Sequence, residues 1–452
     1  MADAAMPRFP ADFAWGVATS AYQIEGAVAE DGRGESVWDV FCRKPGAIRE
    51  GETGDVAADH YHRWQTDVGL MADLGLNAYR FSIAWPRVQP DGKGPANQAG
   101  LDFYDRLTDA LLAAGITPVP TLFHWDLPQP LQDDAGGWLA RETAYRFADY
   151  AEIAAERLAD RIPLWITLNE PFVVMAFGYG LGVHAPGESL LLGALPVAHH
   201  QLLGHGLAVA ALRSAGARQV AVTNNHAPAW PATDSPADVA AAAAYDTLHN
   251  RLFADPVLLG SYPDLSAFGV GPGGMDCVAD GDLAVISAPL DALGVNYYAP
   301  TRLAAVPGEP LPFRMEPIEG YPVTAFGWPV IPAGLTELLT TMKDRYGDRL
   351  PPVHITENGC SAADEVSPDG TIDDQPRIRY LDGHLRAVHD AMTAGVDVRG
   401  YFAWSLMDNF EWGEGYHQRF GLVYVDFSTQ QRTPKASFAW YRDLIAAQHR
   451  PA

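Results

Sequence analysis

Eight short apolar runs rich in β-forming residues recur along the chain, and longer stretches with helical spacing separate them. The runs span residues 13–19, 77–83, 117–123, 164–170, 219–225, 292–298, 353–357 and 399–405. Runs that are apolar throughout indicate strands buried on both faces of a parallel sheet that helices cover. Eight strand–helix repeats favour closure into a (β/α)8 barrel over an open doubly wound sheet.

The length of the chain fits one such barrel with long loops. A barrel of this kind takes about 250 residues and exceeds 400 with insertions, and the 452 residues here contain no Pro- or Ser-rich linker. The excess lies in segments dense in Gly, Pro and Asp at 26–60, 261–282, 299–330 and 358–376. Loops of that length in a compact domain are usually functional. We therefore expect a single α/β domain over residues 1–452, a TIM barrel whose long βα loops form the mouth of an active site.

The charge balance is strongly acidic and narrows the classes of partner. Asp and Glu number 56 against 31 Lys and Arg, which gives a formal net charge of −25. Such a field repels phosphate backbones and anionic lipid surfaces, so neither nucleic acid nor a membrane is an expected partner. The first ten residues lack the pattern of a signal peptide, and no apolar segment approaches the roughly 18 residues of a membrane span. Three scattered cysteines fit a reducing compartment, so we expect a cytoplasmic protein, and a homo-oligomer stays open.

The active site of a TIM barrel lies at the carboxyl ends of its strands, and here those ends are rich in polar and aromatic side chains. The residues at or just beyond them include Gln23, Arg80, His124, Trp125, Asn169, Glu170, Asn296, Tyr298, Glu357, Trp404, Glu411 and Trp412. The amides, carboxyl groups and histidine can form hydrogen bonds with hydroxyl groups, and the Trp faces can stack on the C–H face of a sugar ring. The pattern predicts a site for a neutral polyol that has an apolar face.

Glu170 and Glu357 are the acids that end the fourth and seventh predicted strands. Carboxylates are almost never fully buried unless they are paired or used. In a closed barrel these two side chains can converge across the mouth. Two facing carboxyl groups are what hydrolysis of a glycosidic bond requires, one to protonate the departing oxygen and one to act on the sugar carbon. Because the sequence does not give their separation, retaining and inverting mechanisms both stay open at this point.

Seven separated motifs carry a family resemblance. They read SAYQIEG (20–26), YRFSIAWPR (79–87), HWDLP (124–128), TLNEP (167–171), GVNYY (294–298), ITENG (355–359) and WSLMDNFEW (404–412). In this order and spacing they resemble glycoside hydrolase family 1, the β-glucosidases and their relatives, from about residue 8 to 445. The resemblance implies a retaining exo-β-glucosidase with Glu170 as acid/base and Glu357 as nucleophile, their carboxyl groups about 5–5.5 Å apart. It implies no cofactor and no metal. The expected substrates are aryl β-glucosides and cello-oligosaccharides, with β-galactosyl and β-fucosyl units as further candidates.

The resemblance also implies a role for each residue near the two carboxyl groups. Arg80 and Tyr298 would hold Glu357 ionised, and the charge of Glu357 would raise the pKa of Glu170. The sugar-binding set would be Asn169 at the 2-hydroxyl, Gln23, His124, Glu411 and Trp412 at the remaining hydroxyls, Trp404 as the stacking floor and Trp328 on the leaving-group side, together with Trp125, Asn296, Tyr298 and Phe420.

Two alternatives differ from this interpretation at specific positions. A phospho-β-glycosidase of the same family carries Ser, Lys and Tyr where this chain has Trp412, Gln418 and Phe420, and Glu411 would repel a phosphate. A catalytically silent sugar-binding barrel usually lacks one of the two carboxylates, and both are present here. The β-glucosidase interpretation therefore explains more of the sequence.

Three further features lead to smaller expectations. Phe172 replaces the Trp that often follows NEP, which leaves the leaving-group side open. Cys360 places an oxidisable thiol near the expected nucleophile. His199, His200 and His205 lack the spacing of a metal site, so we expect them to pack within a helix.

Overall fold

The chain forms a closed barrel of eight parallel strands in a computed structural model that describes residues 5–271 and 273–449. The barrel strands, β1 to β8 in chain order, are Ala14–Ala18, Ala78–Ser82, Thr117–Phe123, Leu164–Asn169, Gln219–Asn225, Ala292–Asn296, Val353–Asn358 and Val398–Trp404. Each strand pairs with its chain neighbour, and β8 closes the barrel on β1. The predicted TIM barrel is confirmed, and each of the eight apolar runs coincides with one strand to within two residues.

Helices surround the barrel. The longer α-helices are His60–Leu74, Gln98–Ala113, Arg141–Leu158, Leu195–Ser214, Pro236–Asp246, Leu252–Leu259, Pro332–Tyr346, Gln375–Thr393 and Ala436–Gln448. The shorter α-helices are Ala21–Ile24, Val37–Cys42, Trp85–Val88, Gln129–Ala135, Pro171–Val173 and Asp282–Ile286. Short 3-10 turns lie at Arg49–Gly51, Gly137–Leu139, Leu191–Ala194, Ser266–Phe268, Gly347–Arg349 and Trp412–Glu414, and π-helical turns at Val174–Gly180 and Thr247–Arg251. None of the helices in the described part of the chain combines the length and the apolar character that crossing a bilayer requires.

Two apolar layers hold the barrel together. Small side chains such as Ala18 and Ala78 line the interior, and the ring of Phe402 fills the space beside them. A Cβ atom on Gly16 would lie 2.4 Å from that ring, so glycine makes room for it. A larger layer packs between the strands and the surrounding helices. Burial on both faces explains why each strand is apolar along its whole length.

The long loops contain secondary structure beyond the barrel. It comprises a three-stranded sheet of Ala229–Pro231, Thr301–Ala305 and Phe313–Glu316, a hairpin of Val423–Asp426 with Gln431–Pro434, and the capped helix Val37–Cys42. The segments 26–60 and 299–330, expected to be loops, therefore carry part of it. The sequence pattern missed these strands because strands of four or five residues that pair outside the main sheet lack a long apolar run.

Candidate active site

The carboxyl ends of the barrel strands surround a cavity of about 560 Å³. Ten of the residues singled out from the sequence line it: His124, Trp125, Glu170, Tyr298, Trp328, Glu357, Trp404, Glu411, Trp412 and Phe420. The other four, Gln23, Arg80, Asn169 and Asn296, are buried outside that lining and form hydrogen bonds with lining residues. The structure thus brings the whole set to one end of the barrel, some as wall and some as support.

The two carboxyl groups reach the cavity from β4 and β7. Glu170 follows β4 directly and has a φ of 47°, a left-handed backbone conformation that is uncommon for a residue with a side chain. Its N–H donates to the carbonyl oxygen of Thr223 on β5 at 2.9 Å. Glu357 lies within β7, where the pairing register with the neighbouring strand shifts. An acid occurs at the end of each of these two strands because its side chain faces the cavity instead of the apolar layers.

Glu357 is buried and has two partners that favour its ionised form. Its Oε1 accepts a hydrogen bond from Arg80 Nη1 at 2.6 Å, and its Oε2 accepts one from the Tyr298 hydroxyl at 2.8 Å. Burial raises the pKa of Glu357, while the Arg80 guanidinium and these hydrogen bonds oppose the rise. Because both oxygens are held, the direction of the carboxyl group is fixed.

Glu170 is equally buried, and among the described residues no cation is paired with it. Its Oε1 accepts hydrogen bonds from Asn296 Nδ2 at 2.7 Å and from Asn225 Nδ2 at 3.3 Å. Burial raises the pKa of Glu170 to about 8, and the negative charge of Glu357 adds to the rise, against the two amide donors. Glu170 is therefore protonated near neutral pH.

Asn169, the last residue of β4, connects the surroundings of the two carboxyl groups. Its Oδ1 accepts hydrogen bonds from Arg80 Nη2 at 2.6 Å and from Asn296 Nδ2 at 3.0 Å. Arg80 also contacts Glu357, and Asn296 also contacts Glu170. One amide oxygen thus fixes both the cation beside one carboxyl group and the donor beside the other.

His124 is held neutral beside this network. Burial lowers its pKa well below the usual value, and the charge of Arg80 lowers it further. Its Nε2 accepts a hydrogen bond from Asn169 Nδ2 at 3.1 Å, so the ring proton lies on Nδ1. In residues 5–271 and 273–449, Nδ1 has no hydrogen-bond partner. His124 can therefore donate a hydrogen bond to a bound hydroxyl group.

Glu411 is a third carboxyl group in the wall. Gln23 Nε2 donates to Glu411 Oε2 at 3.4 Å and to the carbonyl oxygen of Phe410 at 2.8 Å. Burial raises the pKa of Glu411 to about 8, and the charges of Glu357 and Glu170 add to the rise. Near neutral pH its carboxyl group can both donate a hydrogen bond to a hydroxyl group and accept one.

Aromatic rings form the rest of the wall. The rings of Trp125 and Trp412 lie 4.5 Å apart between centroids, and His124 stacks on Trp404 at 5.9 Å. Further rings come from Tyr298, Phe326, Trp328 and Phe420. Apolar ring faces opposite amides and acids suit a pyranose, which has C–H faces and a rim of hydroxyl groups.

Some lining residues were missed by the sequence analysis. They are Ala47, Val173, Phe177, Val183, His184, Asn225, Phe326, Gly413 and Glu414. Asn225 is the last residue of β5, so a stricter survey of strand ends would have included it. Phe177 and Phe326 lie in segments that follow strands. In such segments hydrophobic periodicity does not predict which residues face the cavity.

Cys360 does not place a reactive thiol beside the nucleophile candidate. Its side chain is 2% exposed and packs in the apolar layer between strands and helices. Burial raises the pKa of the thiol to about 12. The expectation of an oxidisable thiol near Glu357 is therefore wrong, because the thiol is buried and Cys360 is not among the residues that line the cavity.

The three histidines of the helix Leu195–Ser214 pack against separate partners. His199 bonds to Tyr262 and Asp282, His200 to the carbonyl oxygen of Trp138 and His205 to Thr167. Within the described residues, the group with the spacing of a metal site is Glu50, Glu52 and His417, and none of these three lines the cavity.

Residues 5–450 match the family model described as glycosyl hydrolase family 1. The thermostable β-glucosidase B of Thermobispora bispora is 51% identical over 97% of this chain and 90% of its own length. The bifunctional β-D-glucosidase/β-D-fucosidase of Bifidobacterium breve is 48% identical over 97% of this chain and 98% of its own. The crystal structure of the psychrophilic β-glucosidase of Micrococcus antarcticus matches with a TM-score of 0.94 at 46% identity, and the match covers 98% of each chain.

Proposed function

The chain belongs to glycosyl hydrolase family 1, and from this membership we propose that it hydrolyses terminal, non-reducing β-D-glucosides with retention of anomeric configuration. The observation that carries the proposal is a pair of buried carboxyl groups in one cavity with opposite surroundings. Glu357 has Arg80 and a hydroxyl donor, whereas Glu170 is protonated near neutral pH. Such a pair provides one anion and one acid at the same site.

The first step cleaves the glycosidic bond. Glu357 attacks the anomeric carbon through a carboxylate oxygen and forms a glycosyl ester, while the bond to the leaving oxygen breaks. Glu170 transfers its proton to that oxygen, so the leaving group departs as a neutral alcohol. Arg80 and Tyr298 direct the attacking carboxylate.

The second step hydrolyses the ester. Once Glu357 is esterified it carries no charge, so one of the causes of the raised pKa of Glu170 is removed. Glu170, now ionised, takes a proton from water as the water oxygen attacks the anomeric carbon, and the C–O bond to Glu357 breaks. Two inversions at one carbon give net retention, and both carboxyl groups return to their starting states.

The surroundings of the sugar favour an unmodified hexose. His124 and the protonated carboxyl group of Glu411 supply hydrogen bonds for hydroxyl groups, while Trp404 supplies a ring face. The proposed substrates are aryl β-glucosides and cello-oligosaccharides, with β-fucosides next because one relative is named for both activities. The proposed setting is the cytoplasm, which the free cysteines fit.

The wall of the cavity does not favour binding of a phosphorylated sugar. Glu411 would meet the phosphate with an acid, and the nearby positions are Trp412 and Phe420 in place of phosphate donors. In the cavity lining no Lys or Arg occurs, so a dianion would enter an acidic site without a counter-charge.

Two substitutions test the roles of the carboxyl groups separately. Glu357→Gly should abolish hydrolysis of p-nitrophenyl β-D-glucoside, and azide or formate should restore turnover and give the α-glucosyl adduct. Glu170→Ala should slow cellobiose hydrolysis far more than cleavage of dinitrophenyl glucoside, whose leaving group needs no proton. Proton NMR of the wild-type reaction should show β-glucose as the first product.

A matched control is Glu414→Ala. Glu414 lines the same cavity, but its side chain is 36% exposed and is paired with Arg49. This variant should keep cellobiose hydrolysis within about threefold of wild type and need no azide. Full activity in both the Glu170 and Glu357 variants, or α-glucose as first product, would rule out the proposed mechanism.

A further inference from the structure

Glu170 receives both of its hydrogen bonds on one oxygen. Asn296 Nδ2 donates to Oε1 at 2.7 Å and Asn225 Nδ2 donates to it at 3.3 Å, and among the described residues no donor reaches Oε2. Because two N–H groups point at Oε1, a proton on Glu170 lies on Oε2, the oxygen left for the cavity. The two amides thus decide which oxygen of the acid carries the proton.

The amide of Asn225 could face Glu170 in either of two ways. A half turn of its last side-chain bond exchanges the nitrogen with the oxygen, which occupy nearly the same space. With the nitrogen toward Glu170, the amide is a donor and keeps the proton off Oε1. With the oxygen toward Glu170, the amide would be an acceptor and would draw the proton to Oε1. The direction of this amide therefore has to be fixed by its other neighbour.

That neighbour is His249, in the π-helical turn Thr247–Arg251. Its Nε2 lies 3.0 Å from Asn225 Oδ1, and because an amide oxygen only accepts, Nε2 carries the ring proton and donates it. Burial lowers the pKa of His249 to about 3, so the ring is neutral and has a single N–H group. Phe172 stacks on the ring at 4.2 Å between centroids, with 7° between the planes, which holds the plane of the imidazole.

Tyr245 fixes the tautomer of His249. The Tyr245 hydroxyl lies 2.5 Å from His249 Nδ1, and its oxygen accepts a hydrogen bond from the Thr301 hydroxyl at 3.4 Å. Tyr245 also lines an apolar cavity of about 110 Å³ that it shares with Phe177, and the described wall of that cavity offers the hydroxyl no competing acceptor. The tyrosine proton is therefore directed to Nδ1, which leaves the ring proton on Nε2.

We propose that Tyr245 and His249 are positioning residues for the acid, and that through the amide of Asn225 they keep the proton of Glu170 on the oxygen that faces the leaving group. The inference rests on the proposed function, in which Glu170 protonates the leaving oxygen. Each hydrogen bond of the chain donates toward Glu170, so each one favours the next. No proton moves along the chain during the reaction. The O–H bond that breaks is that of Glu170 Oε2, and the leaving oxygen gains its proton.

Loss of the histidine should affect only reactions that need the proton. His249→Leu should lower kcat/KM for phenyl β-D-glucoside by roughly 5- to 30-fold, the rate equivalent of one lost buried hydrogen bond. The loss should lie in kcat, with KM within about twofold, because His249 is not part of the cavity lining. For 2,4-dinitrophenyl β-D-glucoside, whose leaving group needs no proton, kcat/KM should stay within about twofold of wild type.

Two milder variants and a control accompany His249→Leu. His249→Gln puts an amide N–H near the position of Nε2 and should keep kcat/KM for phenyl glucoside within about threefold of wild type. Tyr245→Phe removes the donor to Nδ1 and should give a loss of roughly two- to fivefold that is again confined to phenyl glucoside. The control is His200→Leu, because His200 is 5% exposed against 6% for His249 and bonds to the carbonyl oxygen of Trp138. It should leave both substrates within about twofold of wild type.

Asn225→Ala tests whether His249 acts through the amide. This variant should also lose kcat/KM on phenyl glucoside. His249→Leu added to it should change kcat/KM by less than about twofold further, because the link between the two residues is already broken. A further loss as large as that of His249→Leu alone would overturn the inference.

Circular dichroism and turnover of dinitrophenyl glucoside report whether each variant is folded. Equal losses on the two glucosides in His249→Leu would overturn the inference, as would full activity on phenyl glucoside in Tyr245→Phe and His249→Leu. Both outcomes leave the proposed function intact, because the wild type still hydrolyses glucosides. If His249→Leu does not fold, Tyr245→Phe decides in the same way. Absence of hydrolysis of every glucoside by the folded wild type would overturn both proposals.

Discussion

Neutralising Glu357 should lower the pKa of Glu170, and the size of the change can be worked out. The pKa of Glu170 is raised to about 8 by burial and by the charge of Glu357. Two unit charges about 5.5 Å apart, the separation of a retaining pair, interact by about 3 kcal/mol at an effective dielectric constant of about 20. This corresponds to about two pKa units. In Glu357→Gln, Glu170 should titrate near pH 6 instead of about 8, and burial should keep it above the usual glutamate value.

The assay is carbon-13 NMR of protein labelled at the glutamate side-chain carboxyl carbon, titrated from pH 4 to 10. The Glu170 resonance is assigned by its loss in Glu170→Gln. The control is Glu414→Gln, which removes a carboxyl group at the exposed rim of the same cavity and should move the Glu170 titration by less than about half a unit, because solvent screens it.

A Glu170 that still titrates near pH 8 in Glu357→Gln would refute the argument. Burial alone would then set its acidity, and esterification of Glu357 could not convert Glu170 from acid to base. A fall of equal size in Glu414→Gln would refute it in another way, because the change would then reflect total charge instead of the facing pair.

Three further outcomes are expected. Burial raises the pKa of Glu411 to about 8, so the folded state keeps a proton that the unfolded chain releases near pH 4.5. The stability that this proton contributes is lost as the pH rises from about 4.5 to 8. In calorimetry, the Tm of Glu411→Gln relative to that of the wild type should therefore increase by about 4 °C between pH 5 and pH 9. Lys435 is buried and lies 2.6 Å from Asp408, so Lys435→Met should lower Tm by about 3–5 °C. Lys93→Met, which breaks an exposed ion pair, should change Tm by less than about 1 °C. Equal shifts in the two variants would contradict the role of burial. Iodoacetamide should leave kcat/KM unchanged and Cys360 unmodified by mass spectrometry, and inactivation with label on Cys360 would contradict its burial.

The barrel could be predicted from the sequence because of how its strands are buried. A strand such as Leu164–Asn169 is covered by the interior layer on one face and by helices on the other, so its whole length is apolar and easily recognised. The polar residues that follow it stand out for the same reason. Strand ends therefore predicted the position of Glu170 and Glu357 at one end of the barrel.

What the sequence did not give was the arrangement of residues whose neighbours are distant in the chain. Phe177 lines two cavities from within a π-helical turn, and no local sequence pattern predicts that turn. Gln23, which the resemblance places among the sugar-binding residues, is buried behind the cavity lining and forms a hydrogen bond with Glu411. The direction of the backbone decides which of two neighbouring polar groups faces a cavity. In loops, hydrophobic periodicity does not give that direction.

The amide of Asn169 couples properties that an engineer would prefer to vary one at a time. Because its single oxygen anchors Arg80 and Asn296 together, any replacement disturbs the surroundings of Glu357 and of Glu170 simultaneously. The cation beside Glu357 and the amide donor beside Glu170 therefore cannot be tuned independently at this position.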